Sequence, residues 1–206
     1  MEFERRAPLS TGPALALLEL GDVPAGLVAL DAVAKEAPVS VIRAGTIHHG
    51  HFLIVFAGAL AAVEMSHARA LERSGRAVAD CVLLPDAEPR LLPALADGVR
   101  RFPAPGDALG MLEARSSPTL VGALDAALKG TPVELVELRL AEGLGGKAVA
   151  SLWGNQFDVE AALELAESRL ARSRAEGAST TLIANAHPEV ARVLESGTRF
   201  FKEQFG

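Results

Sequence analysis

The alternation of hydrophobic and polar positions along the chain predicts strands and amphipathic helices in a regular order. Ala14–Leu20 is an apolar strand, and Val23–Glu36 carries apolar residues at helical spacing after Asp22, a residue typical of helix N-caps. The order strand, helix, strand, strand, helix, strand is typical of helices packed on a largely antiparallel sheet. The further elements predicted in this half of the chain are strands at 38–44, 51–57 and 78–84 and helices at 59–73 and 89–95.

The same succession of patterns occurs twice, which indicates a tandem duplication. The segment ALALLEL at 14–20 matches ALGMLEA at 108–114, and LDA at 30–32 matches LDA at 124–126. Each copy is far longer than a solenoid repeat, so each is expected to be a domain. The predicted organisation is an N-terminal extension at 1–13, a first domain at 14–97, a linker at 98–107, a second domain at 108–196 and a C-terminal tail at 197–206.

Composition and charge exclude several classes of partner. The chain has 206 residues and a net charge of −6, so neither nucleic acid nor an anionic membrane surface is expected as its main partner. The most apolar run, at 52–63, is too short to cross a bilayer, and the N-terminus lacks a signal-peptide pattern. Cys81 is the only cysteine, which excludes an internal disulfide and indicates a reducing compartment. A cytoplasmic location is therefore expected.

Several short segments, found in the same order in both copies, resemble the domain of bacterial microcompartment shell proteins. In copy one they are ALALLEL, LDAVAKEAPV, a glycine-containing loop before an apolar strand, and a G-x-x-x-x-VE segment that opens a helix. In copy two they are ALGMLEA and then ALDAALKGTPVELVELRLAEGLGGKA. The chain is similar to the tandem-domain, unpermuted members of this family, and most of all to the trimeric type found in propanediol-utilisation compartments.

The resemblance implies a fold, an assembly and a function. The implied fold class is α/β (α+β), with two tandem ferredoxin-like domains that each combine a mainly antiparallel sheet with packed helices. Three chains are implied to form a pseudohexameric trimer, a tile that packs edge to edge with other shell proteins. The central pore is implied to pass small metabolites or ions. No set of nucleophile, base and acid is apparent in the sequence, so no enzymatic activity is expected.

The resemblance also implies that the loop before the third strand of each copy lines this pore. The two loops differ in sequence, because the first is rich in histidine and the second in glycine. A ring of six such domains therefore has no true sixfold symmetry. The expected pore-lining residues are Gly45, Thr46, Ile47, His48, His49, Gly50 and His51 in copy one, and Glu142, Gly143, Leu144, Gly145, Gly146 and Lys147 in copy two.

His48 matches the position at which the propanediol type carries a cysteine that binds an iron–sulfur cluster at the threefold axis. Such clusters are held mainly by thiolates, so a histidine here argues against a cluster. Three copies of His48 suit zinc, copper or nickel instead, because these metals accept imidazole ligands. Two other interpretations stay open. The favoured one is a polar pore without a metal or other cofactor; the other is a pore whose charge changes near neutral pH.

Lys35 and Lys129 occupy matching positions, each four residues after an aspartate. This spacing predicts an i,i+4 ion pair on an exposed helix face. The resemblance implies in addition that both lysines lie at the tile edge and meet a neighbouring tile. Asn185 lies where the family carries an edge arginine, so it is expected at the same edge, with weaker or more selective packing between tiles.

Overall fold

The computed structural model describes residues 13–97, 107–141, 143–172, 177–195 and 197–198. Four predictions lie wholly or largely outside these residues: the N-terminal extension, the linker, Glu142 in the second loop and the C-terminal tail. Among the helices that the structure describes, none is long and apolar enough to cross a membrane.

Both copies have the predicted order of elements, and a short helix follows each. In copy one the elements are β1 (Ala14–Leu20), α1 (Val23–Glu36), β2 (Ser40–Thr46), β3 (Phe52–Gly58), α2 (Leu60–Ser74), β4 (Val78–Leu84) and α3 (Leu91–Asp97). In copy two they are β5 (Ala108–Ala114), α4 (Ser117–Gly130), β6 (Glu134–Leu140), β7 (Ala148–Gly154), α5 (Gln156–Leu170), β8 (Ser179–Ile183) and α6 (Pro188–Glu195).

Capping side chains fix where three of the helices begin. Asp22 is the predicted N-cap of α1, and its carboxylate accepts a hydrogen bond from the Ala25 amide at 2.8 Å. Ser116 caps α4 in the same way through the Thr119 amide, and Asn155 caps α5. The first amides of a helix have no partner within it, so a side-chain oxygen at this position stabilises the helix start.

Each domain contains a four-stranded sheet in which every neighbouring pair is antiparallel. The strand orders are β2-β3-β1-β4 and β6-β7-β5-β8, so β4 and β8 are edge strands at matching places. Glu19 on β1 lies opposite Asp80 on β4, and Glu113 on β5 lies opposite Ser179 on β8. These registers define which residues of the two copies match. The structure thus has the predicted fold class, two α/β domains in tandem.

The apolar core is continuous between the domains. One cluster of buried side chains joins β1, β3, β4 and α3 to α4, α5 and the second sheet; it includes Val82 and Leu84 from the first domain and Leu120 and Val121 from the second. A second cluster, around Phe56, lies between the first sheet and its own helices. A third holds α6 against the second sheet. The domain junction is therefore part of the core.

Strand β2 lies two residues later than the predicted range 38–44. It begins at Ser40 and ends at Thr46, because Gly45 and Thr46 still pair with residues of β3. Pro38 has no amide hydrogen to give to a strand ladder, so the ladder begins after it. Gly45 and Thr46, predicted within the pore loop, are therefore the last residues of a strand.

Candidate functional site

The loop between β2 and β3 is a tight turn that exposes two histidines. The Ile47 amide donates a hydrogen bond to the His51 carbonyl at 2.9 Å and closes the turn. Within it, His48–Gly50 form a single turn of 3-10 helix, and His49 has a left-handed backbone with φ 66°. His48 and His49 are exposed, whereas His51 is half-buried.

The loop between β6 and β7 is built largely from left-handed backbone. Its Lys147 amide donates to the Leu144 carbonyl at 3.2 Å. Glycine adopts a left-handed conformation without the strain that a Cβ atom causes, so the glycines allow this path. The positive-φ residues of this loop are Ala141, Gly143, Gly145 and Gly146.

His49 joins the two loops within one chain. Its Nε2 lies 2.5 Å from the Gly145 carbonyl oxygen, so this nitrogen must carry the hydrogen that it donates. The same ring covers Gly146, at which a Cβ atom would lie only 2.6 Å from Cδ2 of His49. The structure therefore brings together three of the residues predicted to line a pore, one from the first loop and two from the second.

The last residue of each loop contacts the carboxylate of a glutamate on the adjacent inner strand. His51 Nδ1 lies 2.9 Å from Glu19 Oε1, and Lys147 Nζ lies 2.6 Å from Glu113 Oε1. The two pairs occupy matching positions, with an imidazole in copy one and an ammonium group in copy two. Sequence analysis missed both glutamates. The signal was an acidic residue near the end of an otherwise apolar strand, at the same place in both copies.

Two carboxylates of the first domain meet the N-terminus of α4 in the second domain. Glu19 Oε2 accepts a hydrogen bond from the Ser117 amide at 3.2 Å. Asp80 accepts from the Ser116 hydroxyl, and also from the amide and hydroxyl of Thr119 at 3.1 and 2.8 Å. Carboxylates at a helix N-terminus satisfy unpaired amides and interact favourably with the helix dipole. The first domain thus caps a helix of the second.

The first domain also holds the C-terminal end of α4. The Arg90 guanidinium donates to the carbonyl oxygens of Leu128 and Val133 at 2.6 and 2.7 Å. Earlier on the same helix, the Asp125 carboxylate accepts a hydrogen bond from the Glu88 amide at 2.8 Å. A helix leaves its last carbonyls without internal partners, so a guanidinium there supplies the missing donors. Helix α4 is therefore fixed at both ends by residues of the other domain.

Lys35 and Lys129 form the ion pairs that their spacing predicted, but only the first lies on an exposed helix face, because the Asp125 carboxylate is buried at the domain junction. Lys35 Nζ lies 2.7 Å from the Asp31 carboxylate, and Lys129 Nζ lies 2.8 Å from that of Asp125. Asn185 lies in the turn after β8 with φ 48°, a left-handed conformation that asparagine tolerates. The role of these three residues at a tile edge stays a prediction.

The face of α1 that matches the buried face of α4 is exposed. Leu27 is 54% exposed, whereas Val121 at the matching position of α4 is 0% exposed. Next to Leu27, an open hollow of about 560 Å³ is lined by Val28, Arg69 and Arg73, among others. An exposed apolar patch with a polar rim is typical of a protein–protein contact surface.

Comparisons with known proteins agree with this architecture. A family model described as "BMC domain" matches residues 14–85 and 108–186. The bacterial microcompartment shell protein PduT of Citrobacter freundii is 32% identical over 153 residues, which cover 74% of this chain and 82% of that protein. A solved structure of a microcompartment protein from Desulfitobacterium hafniense DCB has a TM-score of 0.76 at 27% identity, covering 88% of this chain and 99% of the other. The solved structure of a fused, permuted hexameric shell protein of the RMM microcompartment has a TM-score of 0.59 at 21% identity. The match covers 77% of this chain and 81% of that chain, and the two share the fold.

Proposed function

The chain belongs to the BMC-domain family and is a structural protein of the bacterial microcompartment shell, and from this premise we propose that three copies form one six-domain tile. The number three comes from the resemblance to trimeric tandem-domain members of the family. The tile packs edge to edge with other shell proteins, lies in the cytoplasm as part of the shell and carries out no catalysis.

The contrast between the two matching junction surfaces is the observation that carries this proposal. Helix α4 packs on β4 and β1 of its own chain, whereas α1 presents the matching apolar positions to solvent. Likewise, Ile183 on β8 is exposed, whereas Leu84 at the matching position of β4 is buried in the junction. A head-to-tail contact between copies, with β8 of one chain on α1 of the next, covers both surfaces and generates a ring if it closes.

The centre of the ring is proposed to be a pore lined by both loops. Because His49 ties the loops of one chain together, each chain contributes a connected pair of loops. His48, exposed on the 3-10 turn, is proposed to face the threefold axis. His51 and Lys147, each paired with a glutamate, lie where each loop returns to its sheet. Small polar metabolites or ions are the proposed cargo.

The pore is proposed to function without a resident metal. The donor set does not fit an iron–sulfur cluster, because imidazole replaces the thiolate at His48. The thiol of Cys81 lies in β4, where burial and then the neighbouring Asp80 raise its pKa and disfavour the thiolate. No three metal-binding side chains converge within the described part of one chain, so a His48 site needs one imidazole from each of three chains. That three-imidazole site is the alternative to test.

Lys35, Lys129 and Asn185 are proposed to lie at the outer edge of the tile. All three are exposed, and each lysine is oriented by an aspartate on its own helix. Replacing both lysines by alanine is expected to leave the trimer intact while preventing its assembly into sheets, which electron microscopy would show. Unchanged sheets would contradict the edge assignment.

Native mass spectrometry of the untagged protein tests the assembly and the metal-free pore together. The expected species has three times the chain mass of 21.5 kDa and no added mass. A monomer would overturn the tile proposal. A trimer with one additional metal mass that disappears in His48→Ala would overturn the metal-free pore and establish the three-imidazole site. His49→Ala is the matched control, because its ring already contacts Gly145.

A further inference from the structure

We infer that an acid–hydroxyl pair specifies the order of the domains around the ring. In the junction inside a chain the acid is on the edge strand and the hydroxyl at the helix start, and in the junction between chains their places are reversed. Inside each chain Asp80 of β4 binds Ser116 at the start of α4. Between chains, Ser179 of β8 in one copy meets Asp22 at the start of α1 in the next. This inference rests on the proposed ring and adds the determinant of its order.

The register of the sheets and the helix caps show which residues of the two junctions match. Asp80 and Ser179 occupy the same position on their edge strands, because each lies opposite the glutamate of the adjacent inner strand. Asp22 and Ser116 are the N-caps of matching helices. The internal junction therefore has the acid on the strand and the hydroxyl on the helix, and the outward surfaces carry the reverse arrangement.

The number of carboxylates at the helix start distinguishes the correct contact from the incorrect one. In the internal junction two carboxylates, Glu19 and Asp80, meet the N-terminus of α4. In the proposed junction between chains there are also two, Asp22 and Glu113, beside Ser179. A first domain could dock on α1 of another chain only by releasing its own α4, and three carboxylates (Glu19, Asp80 and Asp22) would then converge there. Such like-charge contacts are a common means by which interfaces reject the wrong partner.

A second reversal of charge lies near the C-terminal ends of α4 and α1, in the segments that follow β4 and β8. Arg90 follows Pro89 and its guanidinium donates to carbonyl oxygens at the end of α4, whereas Glu189 follows the matching Pro188. The position of Leu165 on α5 is taken on α2 by Arg69, which lines the hollow. Lys35 is already paired with Asp31, and Arg69 with Glu36 and Glu72, so Arg73 is the cation of this lining that is proposed to receive Glu189. The charged residues of the lining are Lys35, Arg69 and Arg73 against Asp31 and Glu36.

Packing at the middle of the helix does not distinguish the two edge strands, so the polar pairs at the helix ends are inferred to specify the order. On α1, Val28 takes the place of Gly122, at which a Cβ atom would already lie 3.3 Å from Val82. Thr181, which matches Val82 on the edge strand, is isosteric with valine. Val28 would therefore meet a side chain of the same shape on either edge strand, and shape at this position does not define the order.

Charge reversal and its compensation test the inference in the full-length protein. Ser179→Asp places a third carboxylate at the junction between chains and is expected to raise the dissociation constant of the trimer at least about tenfold. Adding Asp22→Ser to the same chain restores one acid and one hydroxyl, and it is expected to recover most of the affinity. Gln156→Glu adds the same charge at an exposed residue that hydrogen-bonds within its own helix, and it is expected to leave the dissociation constant unchanged.

The outcomes separate the inference from the proposal on which it rests. If the wild-type protein is monomeric, the tile proposal is wrong and the inference fails with it. If the wild-type trimer forms but Ser179→Asp dissociates no more readily than Gln156→Glu, the inference alone is wrong. Failure of Asp22→Ser to rescue would also overturn it, provided that circular dichroism shows both variants to be folded.

A covalent test does not depend on the stability of charged variants. In a Cys81→Ser background, Asp22→Cys and Ser179→Cys in one chain place two thiols on opposite faces of the proposed junction. Mild oxidation is expected to yield disulfide-linked trimers on a denaturing gel, because each chain bonds to the next. Linked species no more abundant than in either single-cysteine control would overturn the inferred contact.

Discussion

The Asp125 carboxylate on α4 accepts a hydrogen bond from the backbone amide of Glu88, 2.8 Å away across the domain boundary. The Asp125 side chain is 9% exposed, whereas that of Asp31 at the matching position of α1 is 60% exposed. The same residue type at the same helical position is thus buried in one copy and solvated in the other. The difference arises because the turn after β4 packs on α4, whereas no described segment of the same chain covers the matching face of α1.

Asp125→Ala is expected to lower the free energy of unfolding by about 1–3 kcal/mol, because it leaves the Glu88 amide without its acceptor in a partly buried junction. Urea unfolding followed by circular dichroism measures this change. Asp125→Asn is the matched control, since its side-chain oxygen still accepts from the amide and only the charge facing Lys129 is lost. Equal losses in both variants would show that the hydrogen bond is not what the aspartate contributes.

Gly146→Ala is expected to destabilise the protein by about 1–3 kcal/mol, because the new methyl group meets the His49 ring and the backbone has φ 84°. Differential scanning calorimetry detects this as a lower Tm. Gly45→Ala is the matched control, because a Cβ atom there has no neighbour within 4 Å among the described residues. Adding His49→Ala to Gly146→Ala should recover the steric part of the loss. If it recovers nothing, the contact with His49 is not the cause.

His49→Ala is expected to loosen the second loop while leaving the sheets intact. The His49 ring holds the Gly145 carbonyl, and the next turn of the loop is closed by the Lys147 amide on the Leu144 carbonyl. Amide hydrogen exchange at Lys147 should therefore accelerate in the variant. His48→Ala, a change at the neighbouring exposed histidine, should leave that exchange rate unchanged. The same acceleration in both variants would contradict a specific link through His49.

Acidification is expected to destabilise the protein in part through His67. This side chain is half-buried in α2, its Nε2 has no hydrogen-bond partner among the described residues, and burial lowers its pKa below 6.5. The unfolded chain therefore binds the proton more readily. The stability contributed by neutral His67 is present above about pH 6.5 and is lost as the pH falls from there through the lower pKa of the folded state.

To test the role of His67, the free energy of unfolding is measured at about pH 8 and at about pH 5, in His67→Gln and in the wild-type protein. The loss of stability between these pH values should be smaller in the variant. His187→Gln, at an exposed histidine, should lose as much as the wild-type protein does. A wild-type-like loss in His67→Gln would show that His67 does not carry this pH dependence.

The elements and the duplication were predictable from the sequence because local patterns determine them. The residues of β1 are apolar at nearly every position, and Asp22 supplies the first cap at the residue where α1 begins. Strand β2 was misplaced by two residues because its end depends on partners in β3, which a local pattern does not contain.

The domain junction was not predictable because its contacts join positions far apart in the chain. Asp80 and Ser116 are each ordinary polar residues in the sequence, one in a strand and one before a helix. Arg90 lies in a turn whose residues give no indication that they reach carbonyls of another domain. The loop histidines were found because they are clustered, but the bond from His49 to Gly145 depends on how two separate sheets are placed.

A ribosome releases the first domain before the second, and the shared apolar cluster makes that order important. The side chains around Phe56 form a cluster from the first domain alone, so they are ready to pack once β4 has emerged. Val82 and Leu84 are then in place when α4 is synthesised, and Val121 of that helix is buried against them. We expect the nascent α4 to fold against a first sheet that is already formed, and to complete the burial of that sheet's face at the junction. A circular permutant that makes the second domain first would leave this helix exposed to aggregation until synthesis ends.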